Sequence, residues 1–332
     1  MAPMMDWTDR HCRAFHRALT KRALLYTEMV TSRAVIHGDR ERLLGFDLIE
    51  HPLALQVGGS EPDELAQCAR IAAELGYDEI NLNCGCPSDR VQSGSFGACL
   101  MREPQRVADS MQAMREAAAI PATVKCRIGV DDQEPRDALF ELVEACRRAG
   151  VTTFIVHARK ALLKGLSPKE NRDIPPLDYP LVHELKRSFP ELTVIINGGI
   201  ATLDEAAAHL AHVDGVMLGR AAYHEPAILG QVDARFFGGE GEVGPFAALA
   251  AYRPYMAAQL EAGTPLSHMA RHMLGLMHGL PGARAFRRIL TVDSVASGAG
   301  LDVVDRAIDA VHQALEAARQ HREIWAAGTL GA

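Results

Sequence analysis

Asn81-Leu-Asn-Cys-Gly-Cys-Pro-Ser-Asp-Arg-Val91, entered from Tyr77-Asp-Glu-Ile80, reads as a short strand running out into a turn. Side chains repeat every second residue along a strand, so Asn81 and Asn83 point the same way. Glycine and proline at a strand exit make a tight turn that lifts one side chain, Cys86, clear of the sheet. The polar loop then continues through Gly94, Phe96 and Gly97. A lone thiol over a carboxyl-terminal strand end, beside two amides, is suited to donating a proton.

The pattern on either side of this stretch alternates. Met1 to Met5 reads as the tail of a strand, and Thr8 or Asp9 as the cap of a helix through about Leu19. Strands are expected at Leu24-Leu-Tyr-Thr27, Leu53-Ala-Leu-Gln-Val57, Glu79 to Asn83, Ala122-Thr-Val-Lys-Cys126, Thr153-Phe-Ile-Val-His157, Thr193-Val-Ile-Ile196 and Gly215-Val-Met-Leu218. Helical spacing appears between them, as in Leu65, Cys68, Ala69 and Ala72. Nearly continuous apolar strands alternating with helices predict a parallel sheet covered on both faces. Eight of them predict a (β/α)8 TIM barrel, with an open doubly wound sheet as the second choice. The chain opens at Met-Ala-Pro, so either the first strand is short or residues precede this start.

Strand signals stop after about Phe237, and Gly238-Gly-Glu-Gly-Glu-Val-Gly244 reads as a linker. Pro245 to Glu261, Leu266 to His278, Ala283 to Leu290 and Asp302 to Arg322 have helical period, predicting a small helical bundle. The expected domains are therefore 1–237, the barrel, and 238–332, the bundle.

The chain has 332 residues, 48% of them hydrophobic, which suffices for one barrel and an appendage. A net charge of -7 gives no general attraction to nucleic acid, so any RNA must meet a local basic patch. Seven scattered cysteines suit reduced thiols in a cytoplasmic protein rather than a disulfide framework. Cys84 and Cys86 are too close for a usual zinc pair, and no metal site is expected. No apolar run of membrane-spanning length occurs, and neither a membrane nor an obligate protein partner is expected.

A barrel reacts at its carboxyl-terminal strand ends. Those ends carry Pro3-Met4-Met5, Gln56, Asn81 and Asn83, Lys125, His157, Asn197-Gly198-Gly199 and Gly219-Arg220. Glycines after the last two strands let backbone N–H groups approach a phosphate, and Arg220 adds a cation. Lys125 in an apolar strand calls for an anionic or electron-rich partner, for which a flavin would serve. Basic residues gather in His157 to Asp173 (Arg159, Lys160, Lys164, Lys169, Arg172) and again at Arg284, Arg287 and Arg288, suiting a polyanion.

Ala2-Pro-Met-Met-Asp6, Gln56-Val-Gly-Gly59, Asn81-Leu-Asn-Cys-Gly-Cys-Pro-Ser88, Val124-Lys-Cys-Arg127, Val156-His-Ala-Arg159, Asn197-Gly-Gly199 and Leu218-Gly-Arg220 together resemble the tRNA-dihydrouridine synthase family. Ala158-Arg-Lys-Ala-Leu-Leu-Lys-Gly-Leu-Ser-Pro-Lys-Glu-Asn-Arg172, continuing to Pro175-Pro-Leu-Asp-Tyr179, looks like its A subfamily. The resemblance implies an FMN enzyme, reduced by NADPH, that reduces the C5=C6 bond of D-loop uridines (20 and 20a) in tRNA. It further implies that hydride goes from flavin N5 to C6 and that Cys86 protonates C5. Pro3, Met4, Met5, Gln56, Lys125, His157, Asn197, Gly198, Gly199, Gly219 and Arg220 would hold FMN. Asn83, Lys169, Arg172, Arg284 and Arg287 would meet tRNA. An ordinary thiol, titrating near about 8.5, is a competent acid at neutral pH. A barrel dehydrogenase acting on a free pyrimidine and a tRNA-binding protein without catalysis are the competing readings.

Overall fold

The computed structural model describes residues 1–88, 96–239 and 241–329, with side chains through residue 323. Asp89 to Val91 and Gly94 of the turn, and Glu240 of the linker, lie outside the described residues. The chain divides into two compact units: Met1–Arg10 with Leu24–Gly219, and His11–Ala23 with Arg220–Ala332.

The first unit is a curled parallel sheet wrapped in helices. Its strands are β1 (Leu25–Tyr26), β2 (Val30–Thr31), β3 (Leu53–Gly58), β4 (Glu79–Cys84), β5 (Ala122–Arg127), β6 (Thr153–His157), β7 (Thr193–Asn197) and β8 (Gly215–Met217). They pair in the order β1-β3-β4-β5-β6-β7-β8, with β2 also on β3, and every pairing is parallel. Every residue of β3 and β4 is buried, as expected of strands covered on both faces. Leu65, Cys68, Ala69 and Ala72 form the buried stripe of the helix Pro62–Leu75.

Met1 to Met5, expected as a strand, has no strand pairing. Its first two residues are nevertheless tied: the Met1 ammonium donates to the Leu24 carbonyl at 2.8 Å, and the Ala2 N–H to the Leu218 carbonyl at 2.7 Å. The segment thus bridges the neighbourhoods of β1 and β8, the two ends of the sheet path. Inside the barrel Ala2, Tyr26, Ala54, Ile155 and Met217 form an apolar plug, with Leu24 and Ile195 packed against it. Register sets Asn83 beside Lys125, and His157 beside both Arg127 and Asn197. The candidate residues of successive strands therefore stand at matching levels.

The second unit is helical. Its main helices are Pro245–Glu261, Leu266–Met273, Ala283–Asp293 and Leu301–Thr329, matching the four expected segments with shifted ends. The unit begins earlier than the glycine linker, at Arg220, and it takes in the helix Arg10–Leu19 from its second residue. The cause is side-chain pairing at long range. Phe15 packs on Tyr252 with ring centroids 5.4 Å apart, and the Tyr252 hydroxyl donates to the His11 carbonyl at 3.0 Å. Thr20 donates to the Asp233 carboxylate at 2.6 Å.

Candidate active site

The inward residues of β3, β4 and β5 form one hydrogen-bonded chain. At its base the hydroxyls of Tyr26 and Thr123 each donate to Glu79 Oε1 at 2.6 Å. Asn81 Nδ2 donates to Thr123 Oγ1 at 2.8 Å, and Gln56 Nε2 to Asn81 Oδ1 at 2.8 Å. Asn83 Nδ2 donates to Gln56 Oε1 at 2.9 Å. Asn83 Oδ1 then accepts the N–H groups of Gly85 at 3.1 Å and Cys86 at 3.0 Å. All six side chains are buried. Burial raises the Glu79 carboxyl, and the bonds from Thr123 and Tyr26 pull it partly back.

The Cys86 turn is held from its other side by Arg127. Its Nε donates to the Gly85 carbonyl at 3.1 Å, and its Nη1 to the carbonyls of Lys160 at 2.9 Å and Asn171 at 2.7 Å. Burial lowers this guanidinium to about 10, with Arg172 and Arg159 adding to the effect. The Cys86 carbonyl accepts from Ala98 N–H at 3.0 Å. The thiol itself stays partly exposed, 3.5 Å from the Ser88 hydroxyl. Cys84 is fully buried, so the two neighbouring thiols have opposite surroundings.

On the β5–β8 side, Lys125 Nζ donates to Asn197 Oδ1 at 3.1 Å, and Asn197 Nδ2 to the Met217 carbonyl at 2.7 Å. Burial, then repulsion from Arg127, lowers the Lys125 ammonium to about 8. Burial, then the charges of Arg127, Lys125, Arg159 and Arg172, holds His157 well below the usual imidazole range, so the ring is neutral. Its Nε2 is buried without a hydrogen-bond partner among the described residues. A Cβ on Gly198 (φ +111) would lie 2.4 Å from His157 Cδ2. One on Gly199 (φ +74) would lie 2.7 Å from Leu177 Cδ1 and 2.9 Å from the Tyr179 hydroxyl. That hydroxyl donates to the Gly198 carbonyl at 2.7 Å, locking the loop. Only glycine fits both positions.

The remaining expected residues fall as follows. Gly219 stands against Ala2 and Met4, 3.6 Å and 3.8 Å from where its Cβ would be, and Arg220 opens the helix Arg220–His224. Met4 accepts at its carbonyl from Trp7 and Thr8 N–H, Pro3 is partly buried beside it, and Met5 is 54% exposed. Lys169 and Arg172 are exposed on one loop of the first unit. Arg284 and Arg287 are exposed on one helix of the second, with Arg287 Nε 3.4 Å from the Leu274 carbonyl. Gln56, Asn83 and Cys86 are brought into one chain of bonds, while the Asn83 amide has both ends engaged inside the barrel.

The basic cluster after β6 is smaller at the surface than its composition suggests. Arg159 is buried and donates to the Pro175 carbonyl, and Lys160 donates to the Gln133 carbonyl at 2.6 Å. Asn171 folds the loop from within, its Nδ2 donating to Leu162 and its Oδ1 accepting from the same residue, at 2.8 and 2.7 Å. Glu79, Thr123, Arg127 and Asn171 are the structural residues sequence reasoning passed over. Arg127 carried a signal, an arginine at an apolar strand end beside Lys125, but its carbonyl partners lie far away in sequence.

A parallel β/α barrel with glycine loops, a neutral imidazole and an ammonium at its strand ends forms a candidate site for an electron-rich, phosphate-bearing ligand. Solved structures share the fold. An old yellow enzyme homologue from Zymomonas mobilis superposes with TM-score 0.51 at 11% identity, covering 74% of this chain and 88% of that one. Morphinone reductase in complex with tetrahydroNAD gives 0.50 at 14%, covering 76% and 91%. The family model for dihydrouridine synthase matches residues 1–314. A tRNA-dihydrouridine(20/20a) synthase of Xanthomonas campestris pv. campestris is 58% identical over 307 residues, covering 92% of this chain and 91% of that protein. Proteins of the same description from Escherichia coli K12 and Vibrio vulnificus are 55% and 52% identical, covering 94% and 95% of this chain and 90% and 97% of theirs. The chain belongs to the dihydrouridine synthase family, and it is a flavin-dependent oxidoreductase whose chemistry is linked to NAD(P)H. No helix among the described residues is long and apolar enough to cross a membrane.

Proposed function

We propose that this chain reduces the C5=C6 bond of D-loop uridines, positions 20 and 20a, in tRNA, using FMN and NADPH. The observation that carries the reading is the partly exposed Cys86 thiol on a turn fixed by Asn83 and Arg127. Kinship at 55–58% identity with proteins described as tRNA-dihydrouridine(20/20a) synthases supports the substrate.

The residues fit FMN. The Lys125 ammonium, held down by burial and by Arg127, would be relieved by an electron-rich ring. His157 Nε2 is free to bond a ligand, and the Gly198–Gly199 backbone approaches where a side chain could not. Lys125, His157, Asn197, Gly198, Gly199, Gly219 and Arg220 would hold the cofactor, with Pro3, Met4, Met5 and Gln56 around it. When bound, FMN supplies the hydride that goes to C6 of the target uracil.

The protein's part is proton delivery and grip. As C5 gains charge, the Cys86 S–H bond breaks and a C5–H bond forms, leaving a thiolate. Lys125 and Arg127 stand on the neighbouring strand β5, where Arg127 holds the Cys86 turn through the Gly85 carbonyl. Asn83 holds the turn, so its contribution to the substrate acts through the placement of Cys86. Lys169 and Arg172 on the first unit, and Arg284 and Arg287 on the second, supply cations for tRNA phosphates. The base must leave its stack to be reduced, which takes several phosphate contacts around it.

The test is to incubate the flavin-loaded protein with NADPH and unmodified tRNA and map dihydrouridine by mass spectrometry. Dihydrouridine at positions 20 and 20a, with free uridine left unreduced, is expected. Equal reduction of free uridine would contradict the reading.

A further inference from the structure

The chain of bonds below Cys86 has a direction. Every amide in it donates downward and accepts from above: Gly85 and Cys86 N–H to Asn83, Asn83 to Gln56, Gln56 to Asn81, Asn81 to Thr123, Thr123 to Glu79. An amide side chain can present either its oxygen or its NH2 to a neighbour, so Asn83, Gln56 and Asn81 alone do not fix the direction. A hydroxyl is equally free to turn. The two ends remove the freedom: the Gly85 and Cys86 N–H groups above, which only donate, and Glu79 below. As a carboxylate it only accepts, and two hydroxyls converge on its Oε1.

The consequence propagates upward by elimination. Thr123 gives its one proton to Glu79, so its oxygen is left to accept, and Asn81 must present Nδ2. Asn81 then presents Oδ1 to Gln56, which must donate, leaving Gln56 Oε1 for Asn83. Asn83 is thereby obliged to present Oδ1 to the turn, where two N–H groups require an acceptor. The reverse arrangement would set Asn83 Nδ2 against those N–H groups, donor facing donor.

We infer that Glu79, at the opposite end of β4 from the reacting thiol, is a positioning residue that sets the conformation of the Cys86 turn through Thr123, Asn81, Gln56 and Asn83. It touches none of the reacting groups. The effect on the reaction rests on Cys86 being the proton donor, while the effect on the turn does not.

The experiment uses flavin-loaded protein and three variants: Glu79→Leu, which removes the acceptor; Glu79→Gln, which keeps one acceptor oxygen; and Thr123→Val, which cuts the chain one bond higher. Three rates are read: flavin reduction by NADPH, reoxidation of the reduced flavin by tRNA, and alkylation by iodoacetamide measured on the Cys86 peptide. Glu79→Leu and Thr123→Val are expected to slow reoxidation roughly tenfold while reduction stays within about twofold. Both are also expected to change Cys86 alkylation several-fold, and Glu79→Gln to restore every rate to within about twofold of the parent. Should Glu79→Leu fail to hold flavin, Thr123→Val, close to isosteric, carries the test. Unchanged Cys86 alkylation in Thr123→Val would overturn the inference, as would equal losses in Glu79→Gln and Glu79→Leu. Altered alkylation with unaltered reoxidation would support the positioning role and overturn Cys86 as the donor.

Discussion

On the β3–β5 side of the barrel interior, Gln56, Glu79, Asn81, Asn83 and Thr123 fill the space with donors and acceptors. On the β6–β8 side, below the polar strand ends His157 and Asn197, Ile155, Ile195 and Met217 fill theirs with hydrocarbon. Tyr26 belongs to both, its ring in the apolar plug and its hydroxyl on Glu79. The difference shows two ways of supporting a site. Apolar packing holds volume and is indifferent to direction, so it steadies a wall. A satisfied polar chain specifies which atom faces which, so it can present one side chain in one orientation. The thiol is carried on the polar half, whereas the glycine loops after β7 and β8 stand on the apolar half.

Breaking the polar half should have the largest effect. Asn81→Leu leaves Gln56 Nε2 without its acceptor and separates the turn from Glu79. An orphaned buried donor costs about 1–3 kcal/mol, or roughly 2–12 °C in Tm for a unit of this size. Turnover with tRNA should fall about tenfold or more while flavin content is kept. Thermal melts, flavin absorbance and turnover check this together, and intact turnover would deny the polar chain its role. Ile155→Val, the matching change on the apolar half, should be the smaller. One lost methylene costs about 0.5–1.5 kcal/mol, with turnover and Cys86 alkylation staying within about twofold. A selective loss of turnover in Ile155→Val would erase the contrast between the halves.

Much of this was legible in the chain. Apolar strand runs and helical stripes gave the barrel and the appended helices, because both patterns are local and periodic. Polar residues at the strand ends marked a candidate site, and Gly198 and Gly199 marked the loop that admits no Cβ. What escaped was either too short to show a period or set by long-range contacts. The short helices Ser32–His37 and Arg40–Leu44, capped by Thr31 and Asp39, are too brief to show a period. The helix Arg10–Leu19 read as part of the barrel, yet its aromatic partner Tyr252 lies hundreds of residues on. Arg159 and Lys160 read as surface charge, but backbone carbonyls draw them inward. Asn83 and Gln56 were visible as residue types, while the acid that orders them was not, since a glutamate opening a strand resembles any exposed one.

In the proposed reaction Cys86 gives its proton to the substrate and takes no part in loading the flavin with electrons. The direct measurement is single-turnover kinetics on Cys86→Ala, with flavin reduction by NADPH and reoxidation by tRNA followed separately. Loss of a general acid predicts reoxidation slower by about 10² to 10⁴, with flavin reduction and tRNA affinity unchanged. Reoxidation within about twofold of the parent protein would contradict the account.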